Sequence, residues 1–428
     1  MILVWGTWRV GAGGDPGAYE HAEIATHLAR GEGFLFSFYG PAAPTSQQAP
    51  ATSWMLAGCF VLLGEGSPHA YLAAELINVL LAAAAAVGVW DLGRRLWNAR
   101  VGIAAAALFA AYPALVYAAT RVQAVTWATA FLALGSAAGA RAVGGRDARW
   151  AAAAGGLLGL GGLGEPLLLA PAAALGGALL IKRQWRGAVA MAVVLVAGLL
   201  PWTLRNAAVH GRLMPVKSTF WYVFWQGNNA AASGTDKLAV EPDVARQLAW
   251  RISLKGLEKE MEAARKAAVS VDTAMPRELL ADVEAQPTEL TRMAVFRREI
   301  LRQLREHPGH YLRMCALRLG QMLWFDNTNP RSLVMAYRVP YLVLAALAAG
   351  GLWIGWRQGS PHGAWAGWGG GGGGWVVLMM AGALLAVHVL VIASARFRLP
   401  LEALMTVPAA AMLVATWEKF RRRARTDG

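Results

Sequence analysis

"RLWNARVGIAAAALFAAYPALVYAAT", residues 95 to 120, opens with basic residues and then runs uncharged from Val101 to Thr120. About twenty such residues are what a helix needs to cross the hydrocarbon of a bilayer. Further predominantly apolar runs stand at 70–93, 121–140, 150–164, 166–181, 187–204, 338–356, 375–394 and 400–416. Counting a first span that ends near Val10, the pattern predicts about ten crossings. The expected fold is all-α: a polytopic transmembrane helix bundle with interfacial helices and an extracytoplasmic helical segment.

Composition agrees. The chain has 428 residues, of which 56% are hydrophobic and only 15% charged, too apolar for an ordinary soluble protein of this length. The net charge of +14 could point to nucleic acid. Its placement excludes that reading, because the basic clusters fall on one side when the spans are threaded alternately. These clusters are Arg94, Arg95 and Arg100; Arg141, Arg146 and Arg149; Lys182, Arg183 and Arg186; Arg357; and the tail from Lys419 to Arg425. That side is cytoplasmic, and Asp15, Glu165, the segment 205–337 and "SARFRLP" (394–400) face outward. "MILVWGTWRV" gives only about ten apolar residues, so Met1 is expected to lie inside the first helix, and no cleavable signal peptide is expected. Cys59 and Cys315 sit in apolar surroundings as packing residues.

The regions follow. Residues 1–204 form an N-terminal transmembrane region whose first outer loop, 13–67, bears interfacial helices. Residues 205–337 form an extracytoplasmic helical region, 338–416 the C-terminal transmembrane helices, and 417–428 a basic cytoplasmic tail. In the first outer loop, Tyr19, Ala22, Ala25 and Leu28 recur at helical spacing with Glu20, Glu23 and His27 opposite, until Gly31 and Gly33 stop the helix. "ATSWMLAGCFVLL" after Pro50 is too short to span and reads as interfacial or re-entrant. "LEKEMEAARKAA" reads as a solvated helix, and "WGGGGGGW" (368–375) as a cytoplasmic connector. The helix after Pro308 regains an apolar face and is expected to lie back on the membrane. The aromatic run "FWYVFW" (220–225) reads as an interfacial anchor. His307 and His310 read as interfacial histidines rather than a metal pair, since no further ligand is evident.

Candidate chemistry gathers at the outer membrane face. Asp15 ends a span and starts a helix, where a carboxylate can cap the helix or act as a base. Arg205, Lys217, Arg396 and Arg398 stand at outer boundaries, where single cations snorkel to headgroups. Two arginines flanking Phe397 on the side that disfavours positive charge point to a negatively charged partner, and a phosphate fits paired guanidinium donors. An outward acid and outward phosphate-binding cations suit transfer from a lipid phosphate.

In order, "GDPGAYEHAEIATHLARGEGF", the 95–120 stretch, "PWTLRNAAVHGRLMPV", "FWQGNNAAASG", "HPGHYLRMCALRLGQMLW" and "RFRLP" resemble the C-type superfamily of polytopic membrane glycosyltransferases. The nearest resemblance is to bacterial members of the dolichyl-phosphate-mannose protein mannosyltransferase and lipid A aminoarabinose transferase group. It covers nearly the whole chain. It implies an inverting transferase that takes a sugar from a polyprenyl-phosphate donor to a lipid, glycan or protein acceptor at the outer face of the cytoplasmic membrane, among membrane lipids and without nucleic acid. Under it, Asp15 takes the place of the catalytic acid, with Tyr19 one turn along. Arg205 and Asn206 match an "RN" after a span, Asn228 and Asn229 a "GNN" turn, and Arg396 and Arg398 a basic pair before Pro. Lys217 joins the donor-phosphate set.

The chain departs from the family at three places. Gln123 stands where many relatives carry a second acid. Glu165 stands before Pro166 where a basic residue is common. "SQQAPA", with Gln48, stands where some relatives place a phosphate-contacting Lys. No cofactor is certain, and a divalent metal ion stays open. The alternative is a transporter or flippase for a phosphate-bearing lipid or solute; the lack of internal repeats counts against it. Reporter fusions at residue 270 and Pro400 should read as extracytoplasmic, and those near Arg146, at Gly371 and after Arg423 as cytoplasmic. A cytoplasmic signal at 270 would overturn the orientation.

Overall fold

The computed structural model describes residues 17–238, 270–326, 328–329, 335–358 and 373–426. The first predicted span, Asp15, the stretch 257–268 and residues 368–372 of the glycine run lie outside the described residues.

The first outer loop holds helix α1 (Tyr19–Ala29), a short antiparallel pair β1 (Leu35–Phe36) and β2 (Ala43–Pro44), and α2 (Pro50–Leu63). The bundle follows with α3 (Pro68–Leu96), α4 (Ala99–Ala111), α5 (Pro113–Ala119), α6 (Ala124–Gly145), α7 (Ala148–Gly162), α8 (Leu169–Ile181) and α9 (Trp185–His210). The outer region contributes α10 (Phe220–Asn228), α11 (Arg277–Glu284), α12 (Glu289–Glu306) and α13 (Pro308–Leu323). The chain then completes the bundle with α14 (Met335–Gln358), α15 (Gly374–Leu390) and α16 (Leu399–Thr426).

Local sequence sets the helix starts. Ser67 and Asn98 accept the backbone N–H groups of Ala70 and Val101, and prolines occupy the first turns of α2, α3 and α5, where a missing N–H costs nothing. Pro113 also bends α4 against α5 by 63°. Among the described residues, four helices are long and apolar enough to cross a membrane, or five if the bent pair is one span. That is fewer than the ten crossings expected. The runs at 150–164, 166–181 and 375–394 do become helices, but α7, α8 and α15 hold only 15, 13 and 17 residues. The Gly164, Glu165, Pro166 turn cuts the first two short.

Small residues let the helices close on one another. A Cβ on Gly155 would lie 2.2 Å from the Met191 carbonyl oxygen, and one on Gly351 would collide with the Pro408 carbonyl. At the predicted cytoplasmic end, Asp91 is 4% exposed and collects Arg94, Arg95 and Arg141, the last at 2.5 Å from Nη2 to Oδ1. Part of the basic cluster thus ties α3 to α6.

The outer region has its own core, in which Phe38 of the first loop packs with Trp225, Val271, Leu279, Val283, Phe296 and Ile300. A Thr288 and Thr291 capping box starts α12. Beneath it, Arg318 of α13 is fully buried without a carboxylate partner. Its Nε donates to Val389 O at 2.6 Å, and its Nη1 to Gly227 O at 2.7 Å and Asn228 Oδ1 at 3.0 Å. A cation here closes the carbonyl ends of α10 and α15 together. Arg318→Met would leave these acceptors buried and unpaired, so it should cost at least about 3 kcal/mol. A thermal-unfolding midpoint in detergent unchanged from wild type would refute this.

Candidate functional site

The candidate site forms where the loop segment 17–67 meets the C-terminal ends of α7 and α9 and the N-terminal end of α16. Burial of α1 runs through His21, Ile24 and Ala25, while Tyr19 is 50% exposed with φ +38°. The inward face is therefore rotated from the one expected through Tyr19 and Ala22. His21 lies against α2, sharing a 2.8 Å hydrogen bond between Nδ1 and Ser53 Oγ. Burial, then the charges of Lys217 and Arg396, pulls its pKa down to about 3, so the ring is neutral at physiological pH. The adjoining turn is fastened by the Ala51 N–H donating to Leu163 O at 3.0 Å, which brings Glu165 beside α2.

Lys217 donates from Nζ to Gln48 Oε1 at 3.0 Å. Burial lowers its pKa below the ordinary lysine range, Glu165 and Glu20 oppose that, and Arg396 adds to it. Glu165 is the mirror case. Burial raises it, and the charges of Lys217 and Arg396 pull it down. Arg396 completes the group; it is exposed, with its guanidinium 5.1 Å from the Phe397 ring. His21, Gln48, Glu165, Lys217 and Arg396 thus share one field although their elements are far apart in sequence.

The remaining expected site residues separate by their partners. Arg205 donates to Thr45 O at 2.5 Å and Phe34 O at 3.3 Å and lies 4.7 Å from the Trp202 ring centre. Buried Asn206 donates to Met214 O and Val216 O and accepts from Ser46 Oγ at 2.7 Å. Both hold loops that carry Gln48 and Lys217. Gln123 donates to the Gly17 carbonyl at 3.3 Å, and a Cβ on Gly17, whose φ is +73°, would sit 3.2 Å from the Arg121 guanidinium. The start of α6 therefore abuts the chain two residues after Asp15, which itself lies outside the described residues.

Three residues are placed away from the group. Asn228 donates to Phe224 O and Val391 O, and Asn229 donates to Trp225 O, so the "GNN" turn is a helix junction. Arg398, expected to grip phosphate, is 4% exposed. It pairs with Glu402 at 2.5 Å, donates to the Trp324 carbonyl and stacks 3.6 Å from the Tyr341 ring centre. It anchors the turn from which Arg396 projects. Pairing with Glu402 four residues on, one turn along the same helix, was a readable signal for this.

Sequence reasoning missed His21, Arg318 and Glu289. Placing the apolar stripe of α1 through Ile24 would have put His21 on it, one turn earlier. Glu289 carried no such signal. It accepts from the Ser46 N–H at 3.1 Å and from the Thr45 and Ser218 hydroxyls, contacts that cross 243, 244 and 71 residues. His310 donates from Nε2 to Asn229 O at 3.1 Å, and among the described residues there is no group of three or more His, Cys, Asp or Glu able to hold a metal ion.

Comparison with known proteins places this geometry. Residues 47–203 match the sequence model of the dolichyl-phosphate-mannose-protein mannosyltransferase family. No curated protein matches the chain. Among solved structures, the oligosaccharyltransferase AglB from Archaeoglobus fulgidus, in complex with an inhibitory peptide and a dolichol-phosphate, superposes with a TM-score of 0.52 at 12% identity. The match covers 96% of this chain and 47% of that one, so the chain spans about half the archaeal enzyme's length. The same enzyme tethered to an acceptor peptide gives 0.51 at 13% identity, over 94% of this chain and 45% of that one. ArnT from Cupriavidus metallidurans bound to undecaprenyl phosphate gives 0.40 at 15%, over 97% and 77%. The chain thus shares a helical fold with the archaeal oligosaccharyltransferase and, over residues 47–203, matches the sequence pattern of the dolichyl-phosphate-mannose-protein mannosyltransferase family.

Proposed function

We propose that the protein is a membrane glycosyltransferase that takes a sugar from a polyprenyl-phosphate donor and passes it, with inversion, to a lipid, glycan or protein acceptor at the outer face of the cytoplasmic membrane. The observation that carries this is the pairing of two cations, Lys217 and Arg396, within one electrostatic field, with the Arg396 guanidinium making no hydrogen bond to a described residue. The family match and the lipid phosphates named for AglB and ArnT support the donor class. Arg205, Asn206 and Arg398 support the phosphate grip by fixing the loops around it.

The chemistry is a direct displacement. Asp15 takes the proton from the acceptor hydroxyl, the acceptor oxygen attacks the anomeric carbon, and the bond from that carbon to the phosphate oxygen breaks. The lipid phosphate leaves with the electron pair, and Lys217 and Arg396 stabilise its charge. A helix N-terminus next to Asp15 favours its ionised form. One neighbour was solved with Zn and sulfate; among the described residues of this protein there is no group of three or more His, Cys, Asp or Glu able to hold a metal ion.

Asp15→Asn keeps the size and can still cap a helix. It should fold and bind donor but lose transfer by at least about 10²-fold. Mass spectrometry of polyprenyl phosphate released from a panel of sugar-loaded lipids measures this. Near-normal transfer by folded Asp15→Asn would remove Asp15 from the mechanism, and sugar-loaded lipid crossing the bilayer uncleaved would favour a transporter.

Lys217 sets the pH dependence. A lysine whose pKa is lowered by burial sheds its proton at a lower pH than an exposed one. Affinity for polyprenyl phosphate should therefore fall on the alkaline side below the usual lysine range. Lys217→Arg stays charged and should flatten that limb, whereas Lys217→Ala should weaken binding at every pH. An identical alkaline limb in Lys217→Arg would assign the titration elsewhere.

A further inference from the structure

Three arginines meet one buried carboxylate at the predicted cytoplasmic end of the bundle. Arg141 of α6 makes a two-pronged pair with Asp91 of α3, donating from Nε to Oδ2 at 3.0 Å and from Nη2 to Oδ1 at 2.5 Å. That pair crosses between the helices and neutralises the acid. Arg94 and Arg95 lie on the same helix as Asp91 and tie it to no other element. Arg94 reaches Oδ1 through Nε at 2.9 Å and Nη2 at 2.7 Å, and Arg95 reaches both oxygens through Nε, at 3.2 and 3.0 Å. A carboxylate offers about four lone-pair positions, so Asp91 is saturated. Nη1 of all three guanidinium groups and Nη2 of Arg95 have no acceptor among the described residues. Three cations on one anion also leave two positive charges over. Glu418 and Asp147, the other described acids at this end, are engaged elsewhere, by Arg100 at 2.8 Å and by the Arg149 N–H at 2.8 Å.

The surroundings say which anion fits. α3 is among the helices long and apolar enough to cross a membrane, and Asp91 stands in its last two turns, so the cluster lies near a hydrocarbon boundary. Two exposed indoles flank it: Trp90, 37% exposed, with the Arg94 guanidinium 4.4 Å from its ring centre, and Trp150 of α7, 38% exposed, with that of Arg141 at 3.9 Å. Exposed tryptophans favour the level of lipid headgroups, where an apolar ring and a polar edge are both satisfied. A phosphate ester joined to acyl chains meets both demands, its oxygens taking the free guanidinium N–H groups and its chains running beside the indoles. We propose that Arg94, Arg95 and Arg141, aligned by Asp91, bind the phosphate of an anionic phospholipid in the cytoplasmic leaflet. A zwitterionic lipid is disfavoured, because its own cation would meet the two excess charges. The site is not the donor grip proposed above, since the 29 residues of α3 carry it to the far end of the helix from the loop segment 17–67.

The test titrates the purified, delipidated full chain in detergent with phosphatidylglycerol or phosphatidylcholine and counts bound lipid by native mass spectrometry. Wild type should hold phosphatidylglycerol more tightly than phosphatidylcholine. Arg94→Gln and Arg95→Gln should each weaken phosphatidylglycerol by about 5-fold and together by about 25-fold, with phosphatidylcholine unchanged, since each removes one charge near a lipid surface. Both leave the pair between Arg141 and Asp91 in place. If the double variant does not fold, Arg95→Gln alone carries the comparison, because only its Nε is bonded to Asp91. Equal retention of the two lipids by wild type, or undiminished phosphatidylglycerol in the variants, would reduce these arginines to charges that fix orientation and overturn the site. Inorganic phosphate separates the lipid from a soluble anion. It should displace phosphatidylglycerol only in large excess, and displacement by equimolar phosphate would assign the cluster to a soluble phosphate and overturn the lipid assignment.

Discussion

The outer half of the molecule depends on one buried carboxylate. Glu289, the first residue of α12, accepts hydrogen bonds from Thr45 and Ser46 in the first outer loop and from Ser218 before α10. His210 Nε2 approaches within 3.8 Å and also meets Ser46 Oγ at 2.9 Å. A buried charge of this kind is tolerable only when its oxygens are well supplied with donors, and removing them costs several kcal/mol. Those donors sit immediately beside Gln48 and Lys217. The requirement to satisfy Glu289 therefore fixes the two loops from which Gln48 and Lys217 project, and joins α12 to the loops at 45–46 and 218. Arg292, one turn along, strengthens the joint by donating to Phe38 O at 2.6 Å.

A second constraint is the allocation of cations. A chain of +14 in contact with lipid must either place its charges in water or neutralise them inside. Arg141 neutralises Asp91, Arg398 neutralises Glu402, Arg318 closes helix carbonyl ends, and Arg205 binds loop carbonyls while lying against Trp202. Each of these is a structural joint. Lys217 differs, because its hydrogen-bond partner is the neutral amide of Gln48 and the charge of Glu165 acts on it without an ion pair between described residues. Charge that is neither solvated on an open surface nor paired internally is the kind that a ligand can complete.

Much of the fold was legible because periodicity and hydropathy report it directly. Among the described residues the apolar runs form helices, and the helix after Asp15, its glycine stop and the short helix after Pro50 stand as read. Helix lengths were less legible, since a run such as 150–164 continues in hydropathy across Gly164 to Pro166 although the backbone turns there. Site residues divide by the range of the interaction. Arg398 and Glu402 are four residues apart, so their pairing could have been seen; Thr45 and Glu289 are 244 apart, and only the folded chain joins them. His21 was obscured by a rotation of the helix face, which a single apolar residue, Ile24, decides.

The three departures from the family pattern acquire a common sense once located. Gln48 cannot supply the positive charge of a lysine, but it holds the Nζ of Lys217, so a cation still reaches that part of the site from another loop. Gln123 cannot supply a second carboxylate, yet its amide bonds the Gly17 carbonyl next to the Asp15 segment. Glu165 brings a carboxyl within the field of Lys217 and Arg396. Phosphate binding depends mainly on the sum of nearby charge, because Coulomb attraction falls slowly with distance in a partly buried site. Hydrogen bonds depend on direction and are lost when a donor or acceptor moves. On the glycosyl-transfer reading proposed above, such replacements would disturb the phosphate grip less than any hydrogen bond made to the transferred group.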